Sequence, residues 1–152
     1  NINLKIKDIT NINELNNLIL KIGLNQGIIN LTNSKINWKN DLEIIMKDGT
    51  LDYTEDGIIL TGRLNMSLDD IGNFYQSFQI KKINRKKIKN VEVDFVYNFN
   101  KNKFIFDNIM IDKKSNEKID KFIDNYNSST KKFSNKIIFK NFIKDLISAY
   151  SG

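Results

Sequence analysis

The chain contains no cysteine and no histidine in 152 residues. Without Cys there is no disulfide and no thiolate chemistry. Without His it lacks the commonest general base and the commonest transition-metal ligand. A Ser-His-Asp triad and a His-bearing zinc site are therefore both excluded within it. Any catalysis would have to run on carboxylates, Lys or Tyr. Proline is also absent, alanine occurs only at Ala149, and arginine only at Arg63 and Arg85. No apolar run approaches the ~18 residues of a membrane-spanning helix. The opening NINLKIKDI alternates like a strand and does not read as a signal peptide. The chain does not start with Met, so the expected reading is a fragment whose targeting segment, if any, lies outside it.

Lys and Arg number 24 against 18 Asp and Glu, a formal net charge of +6. Ile, Lys and Asn dominate, a usage that AT-rich coding bias produces without selection for a basic surface. The scarcity of Arg argues against base readout, where Arg is the preferred reader of guanine. The length fits one domain, or a fragment of a larger one, with enough residues to bury a core.

The clearest pattern is DLEIIMKDGTLDYTEDGIILTGRLNMSL over residues 41–68. Leu42, Ile44 and Met46 alternate with polar neighbours, and Leu51 and Tyr53 resume the alternation past Asp48-Gly49. Asp56-Gly57 turns the chain, and Ile58, Leu60, Gly62, Leu64, Met66 and Leu68 continue at a spacing of two. A strand points every second side chain to one face, so this predicts a half-buried antiparallel meander. Asp-Gly is a hairpin signal because Gly takes positive φ without a steric penalty.

Around it the spacing predicts strands over 2–9 and 27–38, the latter with a bulge or turn near Asn33-Ser34, and two more over 90–99 and 103–112. Phe104 and Phe106 share one parity while Ile109 and Ile111 share the other, which predicts a bulge near Asp107-Asn108. Four amphipathic helices are expected. One runs over 12–22, capped by Asn11 with Glu14 as capping-box partner and ended by Gly23. The others lie over 69–79 behind Asp69 and Asp70, over 116–127 behind Ser115 or Asn116, and over 136–150. The expected fold is thus α+β, a curved antiparallel meander forming a half-pipe or groove partly covered by helices. Residues 113–152 are its helical C-terminal segment.

Candidate sites are few. Lys81, Lys82, Arg85, Lys86, Lys87 and Lys89 form a basic connector, which reads either as a contact for an anionic surface or as a solvated loop. Asp48, Asp52, Glu55, Asp56, Asp69 and Asp70 are accounted for by turns and a helix start, and they lack the spacing of a calcium loop. The aromatics Phe74, Tyr75, Phe78, Phe95, Tyr97, Phe99, Phe104 and Phe106 fall on faces shared with aliphatics, as core does. A wide apolar face of that kind can also stay partly uncovered and hold acyl chains. Lys136, Lys140 and Lys144 lie opposite the apolar side of the last helix, a pattern shared by sheet-packed and membrane-surface helices.

Gly27-Ile28-Ile29-Asn30-Leu31 leading to Ser34 and Trp38, then Asp48-Gly49-Thr50-Leu51, then Gly57-Ile58-Ile59-Leu60-Thr61-Gly62-Arg63-Leu64, then Phe106-Asp107-Asn108-Ile109-Met110-Ile111-Asp112, resemble the AsmA-like group of bacterial envelope proteins, distant relatives of TamB-type bridge-like lipid-transport proteins. The likeness covers roughly residues 25–112. It implies a non-enzymatic β-groove without cofactor or metal, a fragment of a longer protein anchored in the inner membrane and extending into the periplasm. It further implies contact with phospholipid or another envelope lipid, and with inner-membrane or periplasmic proteins. Leu42, Ile44, Leu60, Leu64, Phe95 and Tyr97 are the lipid-facing candidates on that reading. The alternative is a soluble interaction module with a closed core that binds protein or an anionic polymer through residues 81–89.

Overall fold

In the computed structural model, which describes residues 1–8, 14–130, 132 and 136–151, the alternating segments pair into one eight-stranded antiparallel sheet. The strands are β1 (Ile2–Asp8), β2 (Leu15–Asn25), β3 (Ile28–Asn30), β4 (Lys35–Trp38), β5 (Leu42–Thr54), β6 (Gly57–Leu68), β7 (Asn90–Asn98) and β8 (Lys103–Ile111). Three helices accompany them: α1 (Ile71–Ser77), α2 (Glu117–Ser128) and α3 (Lys136–Ser151). Each strand lies beside its chain neighbour, with β3 and β4 sharing one lane between β2 and β5. The class is α+β and the sheet is a meander, as the period-two pattern predicts.

The lane of β3 and β4 is interrupted at 31–34, where Asn33 takes a φ of 64°. The buried Ser34 bridges the break. Its Oγ accepts from the Lys21 N–H at 2.9 Å and donates to the Lys21 carbonyl at 3.2 Å. The β5–β6 hairpin closes with Thr54 opposite Gly57, whose φ is 103°. Register shifts at Lys47 between Met46 and Asp48, which is why Leu51 falls in step with Leu42 and Ile44 despite opposite parity. A second shift leaves Asp107 unpaired opposite Asp94-Phe95, at the expected bulge.

The helix expected over 12–22 is a correction: the described part of that segment is strand β2. Leu18, Leu20, Ile22 and Leu24 alternate there, and the first three face Ile6, Leu4 and Ile2 of β1 in register. The helical spacing of Leu15, Leu18, Ile19 and Ile22 arises because Asn17, at a φ of 52°, adds one residue before the alternation starts. Asn is also a weak helix former, and the chain offers two at Asn16 and Asn17. Asn11, the expected cap, lies outside the described residues.

The other three helices form where expected, α1 and α2 behind their predicted caps. Asp70 accepts from the Asn73 N–H at 2.9 Å to start α1, and Asn116 accepts from the Lys118 and Ile119 N–H groups at 3.0 Å each to start α2. All three pack on one face of the sheet. Phe74 of α1 and Phe78, the residue that caps its C-terminus, close on Trp38 and its neighbours, with the Trp38 and Phe78 rings 5.2 Å apart. Tyr126 of α2 and Phe142 of α3 close on Phe106 of β8, at 5.1 and 4.9 Å. The fully buried Ile109, Ile111, Ile119 and Ile147 sit between the layers.

The two sheet edges differ. On β8, the Asn127 side chain stands in for a further strand: its Oδ1 accepts from the Phe106 N–H at 3.0 Å and its Nδ2 donates to the Phe106 carbonyl at 2.8 Å. On β1, no strand pairs with the outer edge among the described residues.

Candidate functional site: an apolar cleft under the last helix

The register aligns apolar side chains across the whole helix-bearing face. One row runs Leu24, Ile29, Leu51, Leu60, Tyr97 and Phe104 from β2 to β8. The helices cover only the end of this face near β4, β7 and β8. Past them, Ile2, Leu4, Ile6, Leu24, Tyr53, Ile58 and Phe99 are exposed, Tyr53 at 82%.

Where α3 lies over the sheet it does not seal it. A cleft of about 590 Å³ remains between them. Its floor is Leu15 of β2, Ile36 and Trp38 of β4, Ile44 of β5, Leu64 and Met66 of β6, Val93 and Phe95 of β7, and Phe104 and Phe106 of β8. Phe139, Phe142, Ile143 and Lys136 of α3 form the roof. The lining is therefore apolar save for one cation. That volume falls in the range of sites for small organic ligands. Two smaller depressions lie elsewhere, one of about 480 Å³ near Asn1, Lys21 and Asn30, and one of about 340 Å³ around Arg63, Asp94 and Asp107.

Lys136 is half-exposed and pairs with Glu14, the residue before β2, so the pair ties the start of α3 to the sheet beside the cleft. The hydrogen bond from the Lys136 ammonium holds the Glu14 carboxyl below the usual glutamate range, against the opposing effect of burial; Lys140 adds to the positive field. Trp38 contributes a second polar feature. Its indole N–H is buried and has no acceptor among the described residues, which leaves a donor in the wall with desolvation uncompensated.

The six lipid-facing candidates divide three ways. Ile44, Leu64 and Phe95 line the cleft together. Leu42, 3% exposed, is sealed in the core beside Trp38. Leu60 and Tyr97 pair with each other farther along the same face, outside the cleft and partly exposed. Sequence reasoning read Phe104 and Phe106 as core without assigning them to a cleft, and it gave Phe139 and Phe142 of the last helix no role. Alternation and helical spacing identify which face they share, but the gap between them depends on where α3 lands.

The six basic candidates do gather on one connector, whose middle is a 3-10 turn at Lys82–Asn84, and all six side chains are exposed. Of the carboxylates, Asp70 caps α1, Asp52 accepts from the Tyr53 N–H, and Asp56 pairs with Lys101 at 3.0 Å. Among the described residues no helix is long and apolar enough to cross a membrane. No family model, curated protein or solved structure matches the chain.

Proposed function

We propose that this protein is a non-enzymatic lipid-contacting β-groove that takes an acyl chain into the cleft between α3 and the sheet. The observation that carries the reading is the cleft itself, about 590 Å³ with one charged group in its lining. Acyl chains need an apolar path, not directional partners, and gain about 0.8 kcal/mol for each methylene buried. The exposed apolar row beyond the cleft offers such a path toward Tyr97, Leu60 and Leu51. A cation at the rim suits the carboxylate or phosphate of a lipid head. The AsmA-like resemblance agrees with this reading and would set it in the bacterial envelope, on the periplasmic side of the inner membrane.

Trp38 is the chain's single tryptophan and lines the cleft, so it reports occupancy directly. Titration with stearic acid brominated along its chain should quench Trp38 emission to saturation, since bromine quenches only at near contact. Leu64→Arg, which puts a charge into the floor, should abolish saturable quenching while the circular dichroism spectrum is retained. Absence of quenching in the wild-type protein, with the fatty acid below its micellar concentration, would remove acyl-chain binding from this cleft.

A further inference from the structure

Within the basic connector stands one side chain that the charge pattern does not account for. Ile83 sits in the middle of the 3-10 turn and is 86% exposed. A lone exposed aliphatic side chain is ordinary on a protein surface. Two features set this one apart. Lys81, Lys82, Arg85, Lys86 and Lys87 surround it in sequence, and no Asp or Glu occurs from Ile71 to Val91. None of these cations forms a salt bridge among the described residues.

The loop is also held in shape from both sides. Ile80 and Ile88 are buried at its two ends. The Asn84 side chain donates to Ser148 Oγ at 2.8 Å, and Ser151 Oγ donates to the Asn84 carbonyl at 2.7 Å, pinning the turn to the end of α3. The Tyr75 hydroxyl donates to the Lys86 carbonyl, and Arg85 Nε donates to the Ile80 carbonyl at 3.0 Å. A solvated linker needs no such anchoring. A pre-ordered loop presents its side chains without a further ordering cost on binding.

We propose that this loop docks the protein on an anionic lipid bilayer, with Ile83 inserted among the acyl chains and the surrounding cations at the headgroup level. An interface with anionic headgroups above hydrocarbon matches both the charge and the apolar tip. A phosphate backbone or polyanion would match the cations alone and leave Ile83 in water. The inference does not depend on the cleft, because the loop lies at the opposite end of α3 from Lys136.

The test uses the full chain and vesicles of phosphatidylcholine, with and without phosphatidylserine. Wild-type protein should co-sediment with the anionic vesicles only, and raised salt should weaken binding. Each Lys contributes about fivefold near such a surface, so changing Lys81, Lys82, Lys86 and Lys87 to Gln should lower partitioning by several hundredfold. Ile83→Ser removes the apolar tip and should lower it by about tenfold or more while leaving the charge unchanged. Ile83→Trp adds an exposed reporter: its emission, as a difference from wild type, should shift to the blue on anionic vesicles and stay unshifted on dextran sulfate. Binding to vesicles with no Ile83→Trp shift, equal partitioning of Ile83→Ser, or binding to single-stranded polynucleotide without binding to vesicles would each overturn the proposal.

Discussion

Gly49 and Gly62 face each other across β5 and β6, and Met46 lies against both. A Cβ built on Gly49 would come 2.6 Å from Met46 Cγ, 3.0 Å from its Sδ and 3.4 Å from Leu31 Cβ. The close contacts there are with one flexible side chain. A Cβ on Gly62 would come 2.8 Å from Met46 Sδ but also 2.8 Å from the Asp48 backbone carbonyl oxygen. The carbonyl cannot move without shifting the β5–β6 ladder. Gly→Ala where nothing obstructs it would stabilise by about 0.4–1 kcal/mol through the unfolded chain. Overpacking reverses the sign, at about 1–3 kcal/mol. Gly49→Ala and Gly62→Ala should therefore each destabilise by roughly 1–2 kcal/mol net. Met46→Ala should cost roughly 2 kcal/mol, the low end for a side chain that is only partly buried. The double mutants separate the causes. Met46→Ala with Gly49→Ala should be less damaging than the sum by about 1 kcal/mol or more, because the new methyl occupies vacated space. Met46→Ala with Gly62→Ala should recover much less, because the carbonyl clash remains. Denaturant titration at constant m gives the four values needed for each cycle. Additivity for the Gly49 cycle, or equal coupling in both, would show that Met46 does not lie across these glycines.

Ser34→Ala should destabilise by about 1–3 kcal/mol, since it leaves the Lys21 N–H and carbonyl without the hydroxyl that serves both, and hydrogen exchange at Lys21 should rise in step; an unchanged exchange rate would mean the bridge is dispensable. Glu14→Gln removes the ion pair to Lys136. Because the Glu14 carboxyl is depressed in the folded protein, its contribution is present above the unfolded glutamate value near 4.3 and is lost as pH falls through the lower folded value. The melting-temperature gap between wild type and Glu14→Gln should therefore be full at pH 7 and shrink below about pH 4. A gap independent of pH would assign the effect to packing.

The meander from β5 to β8 was legible because strands of 9–13 residues give the alternation enough length to show, even through two bulges. Asp107 announced itself, since Phe106 and Ile109 cannot both be buried in an unbroken strand. Two helices were legible from their caps, which act within one turn of sequence, and the last from its apolar spacing. β2 was misread for the converse reason. An inserted Asn17 turned a period of two into spacings of three and four, and only the pairing partners Ile2, Leu4 and Ile6 resolve it. The cleft was half legible. Ile44, Leu64 and Phe95 could be placed on one face, but Leu42 is sealed in the core beside Trp38 while α3 stands off Leu64, and both outcomes are fixed by contacts far apart in sequence. Ile83 was hidden by its neighbours, because an apolar residue in a basic run fits no periodic template.

The unequal edges of the sheet give the molecule a direction. At β8 the Asn127 amide occupies the backbone groups of Phe106 that an incoming strand would need, so growth is terminated there. At β1 the pairing groups and the apolar face, carried there by Ile2, Leu4 and Ile6, end together, unblocked by any described strand. In polymer language the sheet has one capped terminus and one active terminus. Any lengthening by strand addition, whether from the same chain or another, would proceed past β1 and would extend the same oily surface by one lane at a time.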